Sequence, residues 1–421
     1  MSTRLVPRDD ARESGAARSL ASLGRRALIG RLQALEHGQL TLVEGSVRRE
    51  FGARAPDGLR ATIEVRDPQF WADVAFGGTV GAGDSYIQGH WSSDDLTSLV
   101  RLMVRNRVAL SALEGGLARL TGPISRVLHW LARNTREGSR RNIAAHYDLG
   151  NDFFRLMLDE TMAYSCAIYA SPETSLHEAQ LAKFDAVCQK LDLKPGEHLL
   201  EIGTGWGGLA LHAARHYGCK VTTTTISSEQ HAYAQAAFRR AGLEGPITLL
   251  KEDYRDLTGC YDKLVSIEMI EAVGHRYLDE YFGCCSRLLA PDGAMLIQAI
   301  TIQDQLYDQA LRAVDFIQRF VFPGGFIPAV SAMLESVKRS TDLKLFHLAD
   351  IGPHYATTLA DWRRNFHAQL GAVRALGYPD AFVRLWDYYL SYCEGGFIER
   401  QIGDVQMLLT KPGCRRMPLP A

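Results

Sequence analysis

The hydrophobic and polar positions divide the chain into two parts with different patterns. In the second part, short apolar runs between turn residues predict strands over 198–202, 220–225, 247–250, 261–267, 294–299 and 405–409. Apolar residues at helical spacing predict helices over 228–241 and 276–289, and a helical insert over 304–340. Strands that alternate with helices form a doubly wound sheet. The pattern therefore predicts an α/β fold with a helical insert.

The first part of the chain is less regular. Residues 1–18 are polar and rich in arginine, without the apolar core of a signal peptide, and they predict a flexible tail. Residues 19–135 combine strand-like runs with a helical stretch over 96–104, which predicts a smaller α+β domain. This domain holds no cluster of potentially catalytic side chains, so we expect it to serve membrane binding or dimerisation. The α/β domain then occupies residues 136–421.

The first strand of the α/β domain runs into the glycine-rich sequence LLEIGTGWGG at 199–208. Glycines let the backbone turn sharply and approach a ligand closely, and open α/β sheets bind ligands at the carboxyl ends of their strands. Dinucleotide-binding proteins space these glycines as G-x-G-x-x-G. Here Glu201, Gly203, Gly205 and Gly207 form E-x-G-x-G-x-G, which suits a ligand without phosphate. This spacing resembles the first motif of class I S-adenosylmethionine methyltransferases, with their Rossmann-like sheet.

Composition narrows the class of protein. The chain has 421 residues, of which 46% are hydrophobic and 23% charged, as in ordinary globular proteins of two domains. No run of eighteen apolar residues occurs, which argues against a membrane-spanning helix. The eight cysteines include no C-x-x-C pair and no cluster at metal-ligand spacing. We therefore expect free thiols in the cytoplasm, with neither a disulfide framework nor a metal site.

Positive charge is concentrated in one segment. Residues 101–141 contain nine arginines against only Glu114 and Glu137, although the net charge of the whole chain is −1. Apolar residues at helical spacing follow Pro123 in the same segment, at Ile124, Val127, Leu128 and Leu131. A basic amphipathic helix of this kind binds anionic bilayers, but the same pattern also describes a solvated arginine face over a domain interface. Aromatic residues do not alternate with the arginines, which argues against a nucleic-acid partner.

Several further motifs resemble one family. AHYDLGNDFFRLMLDETMAYSCAIY lies before the glycine turn, and TISSEQ, EDYRDL and EMIEAVG follow it. In this order, over residues 142–412, they resemble the cyclopropane fatty acid synthase family, which includes the mycolic acid cyclopropane synthases. The resemblance implies transfer of a methylene group from S-adenosylmethionine to the double bond of unsaturated acyl chains in membrane phospholipids. It also implies a homodimer that associates peripherally with the inner leaflet of the membrane.

The resemblance also assigns cofactor-binding residues. Thr225 and Gln230 are expected to bind the methionine or ribose part, and Asp253 and Tyr254 the adenine. The remaining candidates lie beneath or above the cofactor, namely Glu201, Gly203, Gly205, Tyr164 and Ser165.

The reaction of this family determines which catalytic groups to expect. A carbon–carbon double bond attacks the sulfonium methyl group and leaves a carbocation, so a base must then remove a proton from the transferred methyl group. In the family, that base is thought to be bicarbonate, held around a cysteine, a glutamate, a histidine and a tyrosine. The corresponding residues here are Cys166, Glu271 and Tyr355, with Glu271 expected to hold and orient the bicarbonate.

The chain departs from the family pattern twice. Ala272 follows Glu271 where histidine is usual, and Gln298, two residues before Ile300, stands in place of the histidine of the next strand. Glutamine donates an amide hydrogen but carries no charge and exchanges no proton. We expect bicarbonate to bind, whereas the departure leaves two products open, a cyclopropane ring and a methyl or exomethylene branch.

An apolar tunnel for the acyl chain is expected in the helical insert. Its candidate residues surround a Pro-Gly-Gly turn, namely Phe316, Ile317, Phe320, Phe322, Phe326 and Ile327. Two functional hypotheses besides a lipid C-methyltransferase remain open. One is an amine N-methyltransferase with the same core, and the other is a lipid-binding module without catalysis.

Overall fold

The computed structural model describes residues 15–110, 149–417 and 419, and these form two compact units. The first unit combines the described amino-terminal residues with two later segments, Arg312–Pro323 and Leu370–Glu399. The second unit contains the described residues from 149 to Leu311, together with Gly324–Gln369 and the residues from Arg400 onwards. The predicted basic helix that follows Pro123 lies outside the described residues.

The first unit contains a small mixed sheet and several helices among its described residues. The sheet has the order β2-β1-β3-β4, in which β1 is parallel to β3 and the other pairs are antiparallel. The strands are β1 Gly38–Glu44, β2 Val47–Ala53, β3 Arg60–Val65 and β4 Trp91–Ser93. The early helices are α1 Gly15–Leu32, α2 Gln69–Ile87 and α3 Leu96–Arg105. The later segments add α10 Phe316–Phe320, α13 Leu370–Ala375 and α14 Asp380–Ile398.

Close packing joins the later segments to the first unit. A Cβ atom added at Gly83 of α2 would lie 2.3 Å from Phe316 Cδ2 of α10, and one at Gly395 of α14 would lie 2.7 Å from Val100 Cγ1 of α3. Glycine is needed at both positions because the helices approach so closely. The sequence assigns these two later segments to the α/β domain, whereas their contacts group them with the first unit.

The second unit is built on a seven-stranded sheet of order β10-β11-β9-β8-β5-β6-β7. Strands β5 to β9 pair in parallel, and β11 pairs antiparallel to both β9 and β10. Their bounds are β5 His198–Ile202, β6 Lys220–Thr224, β7 Ile247–Leu250, β8 Tyr261–Ile267, β9 Leu289–Ile302, β10 Lys344–Asp350 and β11 Ile402–Thr410. Leu199 and Leu200 of β5 enter two different buried clusters, because successive strand residues point to opposite faces.

Helices connect the strands of this sheet. The α-helices are α4 Asn151–Arg155, α5 Leu176–Leu191, α6 Gly208–His212, α7 Ser228–Ala241, α8 Leu278–Leu288, α9 Asp304–Ala310, α11 Val330–Ser340 and α12 Gly352–Ala368. A π-helical turn, Ala213–Tyr217, extends α6, and three 3₁₀ turns cover Tyr254–Asp256, Ile270–Ala272 and His275–Tyr277. Among the described helices, none is long and apolar enough to cross a membrane.

The predicted α/β class is confirmed, and several elements agree closely with the sequence pattern. Strands β7 and β8 and helix α7 have the predicted bounds. Several elements were not predicted, among them strand β10, helices α5, α12 and α14, and the long helix α2. Helix α2 contains four glycines and is kinked at Gly78. Helix α1 begins at Gly15, so the predicted tail of residues 1–18 extends too far. The run of alanine, leucine and arginine after Gly15 favours a helix.

Candidate active site

The glycine turn lies where β5 leaves the sheet. Gly203, Gly205 and Gly207 all have positive φ angles, of 102°, 53° and 92°. At Gly207 a Cβ atom would lie 2.6 Å from the ring of Phe238, so no other residue fits there without movement. At Gly205 an added Cβ would meet nothing within 4 Å. The turn thus combines a backbone conformation that glycine adopts readily with open space beside Gly205, as a ligand-binding turn requires.

Glu201 is the buried acid at the head of this turn. Its Oε2 atom accepts a hydrogen bond of 2.6 Å from the Thr223 hydroxyl, which lies 2.7 Å from the Thr204 hydroxyl. Burial raises the pKa of Glu201 to about 8. In the ligand-free protein at neutral pH, the carboxyl is therefore mostly protonated. Hydroxyl donors from a ligand would favour its ionised form.

We expect the affinity for S-adenosylhomocysteine to rise with pH until about pH 8. Hydrogen-bond donors of the cofactor would favour ionised Glu201, so binding would release a proton below the pKa of the free carboxyl. The affinity should rise by up to about tenfold per pH unit between pH 6 and 8 and level off above. Titration calorimetry at several pH values measures this. The Glu201→Gln variant should bind more weakly with no such slope; a slope that persists in it would assign the proton to another group.

The other predicted cofactor residues lie at the carboxyl ends of neighbouring strands or before α5. The Thr225 hydroxyl donates to Gln230 Oε1 at 2.9 Å. Asp253 binds Arg255 through both carboxylate oxygens, at 2.8 and 2.6 Å. Their contacts with a cofactor remain predictions.

Two further cofactor candidates precede α5, and a third follows β7. Ser165 accepts a hydrogen bond of 2.6 Å from the buried ammonium of Lys183. The ring of Tyr164 lies 5.0 Å from that of Trp362, and the ring of Tyr254 packs 5.4 Å from that of Tyr281. These contacts fix the side chains, and their cofactor contacts also remain predictions.

The predicted catalytic residues meet around a carboxylate that the sequence analysis missed, that of Glu268. Its Oε1 atom accepts hydrogen bonds from the backbone N–H of Cys166 at 2.8 Å and from Gln298 Nε2 at 2.7 Å. Its Oε2 atom accepts a hydrogen bond of 2.6 Å from the hydroxyl of Tyr355. Glu268 lies directly after β8 and begins the EMIEAVG motif. The sequence shows a second acid three residues before Glu271, directly after a buried strand, but this spacing alone does not place its carboxylate among the three donors.

The orientation of the Gln298 amide follows from its neighbours. Lys190 donates to Gln406 Oε1 at 2.6 Å, and Gln406 Nε2 donates to Gln298 Oε1 at 2.9 Å. An ammonium group only donates hydrogen bonds, so the orientation of each side-chain amide in this series of hydrogen bonds is fixed. The Gln298 amide nitrogen must therefore point to Glu268.

Glu271 and Asp404 lie beside the Glu268 carboxylate. Glu271 Oε1 accepts a hydrogen bond of 2.6 Å from the backbone N–H of Ile300, while its Oε2 is buried without a hydrogen-bond partner among the described residues. Burial and repulsion from Glu268 raise the pKa of Glu271 to about 8. Burial and Glu268 also raise the pKa of Asp404 well above its usual range. Burial therefore favours the neutral form of both Glu271 and Asp404.

Cys166 contributes its backbone rather than its thiol. The side chain is fully buried, and the Sγ atom lies 3.3 Å from the carbonyl oxygen of Ala167. Burial raises the pKa of the Cys166 thiol well above its usual range. Since the thiolate is the reactive form, Cys166 is suited to line the site and not to act as a nucleophile. Among the described residues, no group of histidine, cysteine and acidic side chains could hold a metal ion.

The residues predicted to line an acyl-chain tunnel are divided between the two units. Phe316, Ile317, Phe320 and Phe322 belong to the segment Arg312–Pro323 of the first unit, whereas Phe326 and Ile327 belong to the second. Within the first unit, the buried Phe316 ring lies 4.7 Å from that of Tyr388. The tunnel itself remains a prediction.

Comparison with known proteins decides the family. A sequence profile for mycolic acid cyclopropane synthetase matches residues 134–407. The chain belongs to this family. A tuberculostearic acid methyltransferase of Mycobacterium tuberculosis is 38% identical over 354 residues, which cover 80% of each chain. A cyclopropane-fatty-acyl-phospholipid synthase of Escherichia coli is 36% identical to this cyclopropane synthetase family member over 353 residues, or 83% of this chain and 88% of the relative.

Solved structures agree with this assignment. The mycolic acid cyclopropane synthase CmaA1, in complex with SAH and CTAB, is 32% identical and superposes with a TM-score of 0.61 over 65% of this chain and 98% of its own. Coclaurine N-methyltransferase, at 20% identity and a TM-score of 0.60, shares the fold alone. This family member therefore has the class I fold of S-adenosylmethionine-dependent methyltransferases, and the predicted resemblance is confirmed.

Proposed function

We propose that this protein transfers a methylene group from S-adenosylmethionine to the double bond of unsaturated acyl chains in membrane phospholipids and forms cyclopropane fatty acids. The carboxyl cluster of Glu268 and Glu271 carries this proposal. It lies at the carboxyl ends of β8 and β9, and β8 pairs directly with β5, which ends in the glycine turn. A group able to accept a proton therefore lies beside the predicted cofactor site.

The reaction has two steps with different requirements. In the first, the alkene electron pair forms a bond to the sulfonium methyl carbon, the carbon–sulfur bond breaks, and a carbocation remains on the neighbouring chain carbon. In the second, a base takes a proton from the transferred methyl group, and the released electron pair closes the ring. The first step depends on positioning, and the second needs a base within hydrogen-bond reach.

Aromatic rings near the carboxyl cluster suit the cationic intermediate. Trp362 of α12 is fully buried, and its ring lies 5.0 Å from that of Tyr164 and 6.1 Å from that of Tyr355. Aromatic faces stabilise a cation electrostatically without forming a covalent bond to it. Because the Tyr355 hydroxyl also binds Glu268, the aromatic group and the base are held in one arrangement.

An exomethylene branch is a second candidate product. It arises when a hydride moves to the cationic carbon before the methyl group loses its proton, so it needs the same base. The neutral Gln298 supports the exomethylene product, since glutamine cannot exchange a proton as the histidine of the family can. The identity to a tuberculostearic acid methyltransferase supports it as well. A saturated methyl branch would need a hydride donor in addition.

Deuterium retention tests the proposal. Unsaturated phospholipid vesicles are incubated with the protein and with S-adenosylmethionine that carries a trideuterated methyl group, and the fatty esters are analysed by mass spectrometry. We expect two deuteriums in the product, since one is lost to the base. Three deuteriums in the product would show that the proton was lost from a carbon of the acyl chain. Three deuteriums together with an added oxygen would show that water captured the carbocation. Either contradicts methylene transfer.

The two products that keep two deuteriums are isomers, so a second measurement separates them. Mild catalytic hydrogenation adds two hydrogens to an exomethylene branch and leaves a cyclopropane ring unchanged. No labelled ester at all would refute the lipid substrate. For the cellular setting we propose a homodimer that associates peripherally with the inner leaflet of the membrane through the basic segment 101–141.

A further inference from the structure

The structure does not fit the bicarbonate ion that the family resemblance implies. Cys166, Gln298 and Tyr355 were expected to lie around that ion, and all three donate hydrogen bonds to the Glu268 carboxylate instead. The donors are the backbone N–H of Cys166, the amide of Gln298 and the hydroxyl of Tyr355, at 2.8, 2.7 and 2.6 Å. A carboxylate and a bicarbonate ion each have a planar group with two oxygens that accept hydrogen bonds from such donors. The position is therefore already filled by a side chain of the protein.

Charge makes a second anion at this position unfavourable. Glu268 raises the pKa of both Glu271 and Asp404 by repulsion, which places all three carboxyl groups within electrostatic reach of one another. Burial lowers the pKa of the nearby Lys183, whose ammonium group donates its hydrogen bond to Ser165. An added bicarbonate would place a further negative charge beside these three carboxyl groups in a poorly solvated site, where like charges interact strongly.

The backbone at Glu268 is independent evidence that the side chain is selected for its chemistry. Its φ angle is +47°, in the left-handed region. This conformation costs an L-residue roughly 1–2 kcal/mol, whereas glycine adopts it freely. Backbone strain of this kind persists where the surrounding structure fixes it, often at functional sites. The hydrogen bonds to the carboxylate offset the strain and fix the side chain.

Accessibility also separates the carboxylate from its donors. Cys166, Gln298 and Tyr355 are buried, whereas Glu268 and Glu271 are partly accessible. The three donors are thus more deeply buried than Glu268, which leaves this residue in part accessible to a reacting group.

We infer that the Glu268 carboxylate replaces bicarbonate in this chain and is the base that removes the proton from the transferred methyl group. This inference rests on the proposed function. The proton passes from the methyl carbon to a carboxylate oxygen of Glu268, and the electron pair of the broken C–H bond forms the new carbon–carbon bond. Glu268 becomes neutral as the carbocation is consumed, and it later returns the proton to water.

Two variants of Glu268 separate its chemistry from its structural role. Glu268→Gly removes the carboxylate and frees the three donors for an added anion. It also removes the strain of the positive φ angle, because glycine adopts this conformation freely. Glu268→Gln fills the same space but is not a base. Glu335→Gln, on the exposed surface of α11, serves as the control. Thermal melting and S-adenosylhomocysteine affinity verify that each variant is folded.

Activity is measured in carbonate-free buffer and again with added bicarbonate. We expect the wild type and Glu335→Gln to be equally active in both. Glu268→Gln should lose at least about 100-fold in both, since an acid–base group typically contributes that much. Glu268→Gly should lose as much in carbonate-free buffer and regain at least about tenfold with bicarbonate. A wild type that requires bicarbonate, or a Glu268→Gln variant with the wild-type rate, would overturn the inference.

Binding of ¹³C-labelled bicarbonate, followed by NMR in the presence of S-adenosylhomocysteine, gives a readout that needs no lipid substrate. We expect saturable binding to Glu268→Gly and none to the wild type; saturable binding to the wild type would refute the replacement. If the wild type forms no lipid product, the proposed function and the role of Glu268 as base fail together. The titration then still decides whether Glu268 occupies the anion position.

Discussion

Replacement of Glu271 by alanine is expected to lower the rate of product formation by about 100-fold or more, while the affinity for S-adenosylhomocysteine stays unchanged. The carboxyl group holds the backbone N–H of Ile300 through one oxygen and presents the other, without a partner among the described residues, inside the site. Alanine would leave that N–H without its acceptor and would remove a neutral acid from beside Glu268. The glycine turn, which lies after another strand, is not touched.

The pH dependence distinguishes the neutral from the ionised form of Glu271. Because its pKa is raised to about 8, the carboxyl is mostly protonated at pH 7. Above pH 8 it ionises and places a second negative charge beside Glu268. At saturating S-adenosylmethionine, the wild-type rate should therefore fall above about pH 8. The Glu271→Gln variant keeps a neutral group of the same shape, so it should retain more activity than Glu271→Ala and lack this alkaline decrease.

Initial rates of S-adenosylhomocysteine release over pH 6–9 measure this, with Glu335→Gln as the matched surface control. Saturating cofactor removes the separate effect of Glu201, whose pKa also lies at about 8. An alanine variant with the wild-type rate would exclude Glu271 from the reaction. An unchanged alkaline decrease in Glu271→Gln would assign the titration to a different group.

The sequence is informative about this site where chemistry depends on residue type and spacing along one segment. The glycine turn, Glu271 and Gln298 all lie at the carboxyl ends of strands that the hydrophobic pattern predicts. Parallel strands bring such ends to one edge of a sheet, so their proximity follows from the fold class. The expected cluster of Cys166, Glu271, Gln298 and Tyr355 indeed surrounds one point in the structure.

The occupant of that point could not be read from the sequence. Glu268 belongs to the same motif as Glu271, but its role depends on a left-handed backbone conformation. The sequence does not indicate this conformation, because the position is not occupied by glycine. Asp404 lies on the last strand and reaches the cluster because β11 pairs with β9, which places it opposite Ile300. Both residues were missed because long-range strand pairing and backbone conformation, rather than local spacing, bring them into the site.

The domain boundary shows the same limit. The hydrophobic pattern assigns every residue after 136 to the α/β domain, yet Arg312–Pro323 and Leu370–Glu399 pack with the first unit. Their assignment is decided by glycines on partner helices, such as Gly83 against Phe316. Such complementarity between distant segments leaves no periodic signal in either of them.

Replacement of Trp362 by alanine is expected to lower the free energy of unfolding by about 3–5 kcal/mol, as for other large aromatic residues in a core. Trp362 is fully buried on α12, and its ring packs near those of Tyr164 and Tyr355. Its indole nitrogen has no hydrogen-bond partner among the described residues. The stabilisation therefore comes from packing, and a smaller ring should preserve much of it.

Trp362→Phe is the matched control, since phenylalanine loses volume but no hydrogen bond. It should cost less than about 2 kcal/mol in urea denaturation of the ligand-free protein, while Trp362→Ala unfolds at a clearly lower urea concentration. Because Tyr355 packs on Trp362 and donates to Glu268, the alanine variant should also lose activity beyond its loss of folded protein. A Trp362→Ala variant within about 1 kcal/mol of the wild type would show that the cavity collapses and that this aromatic group does not support the base.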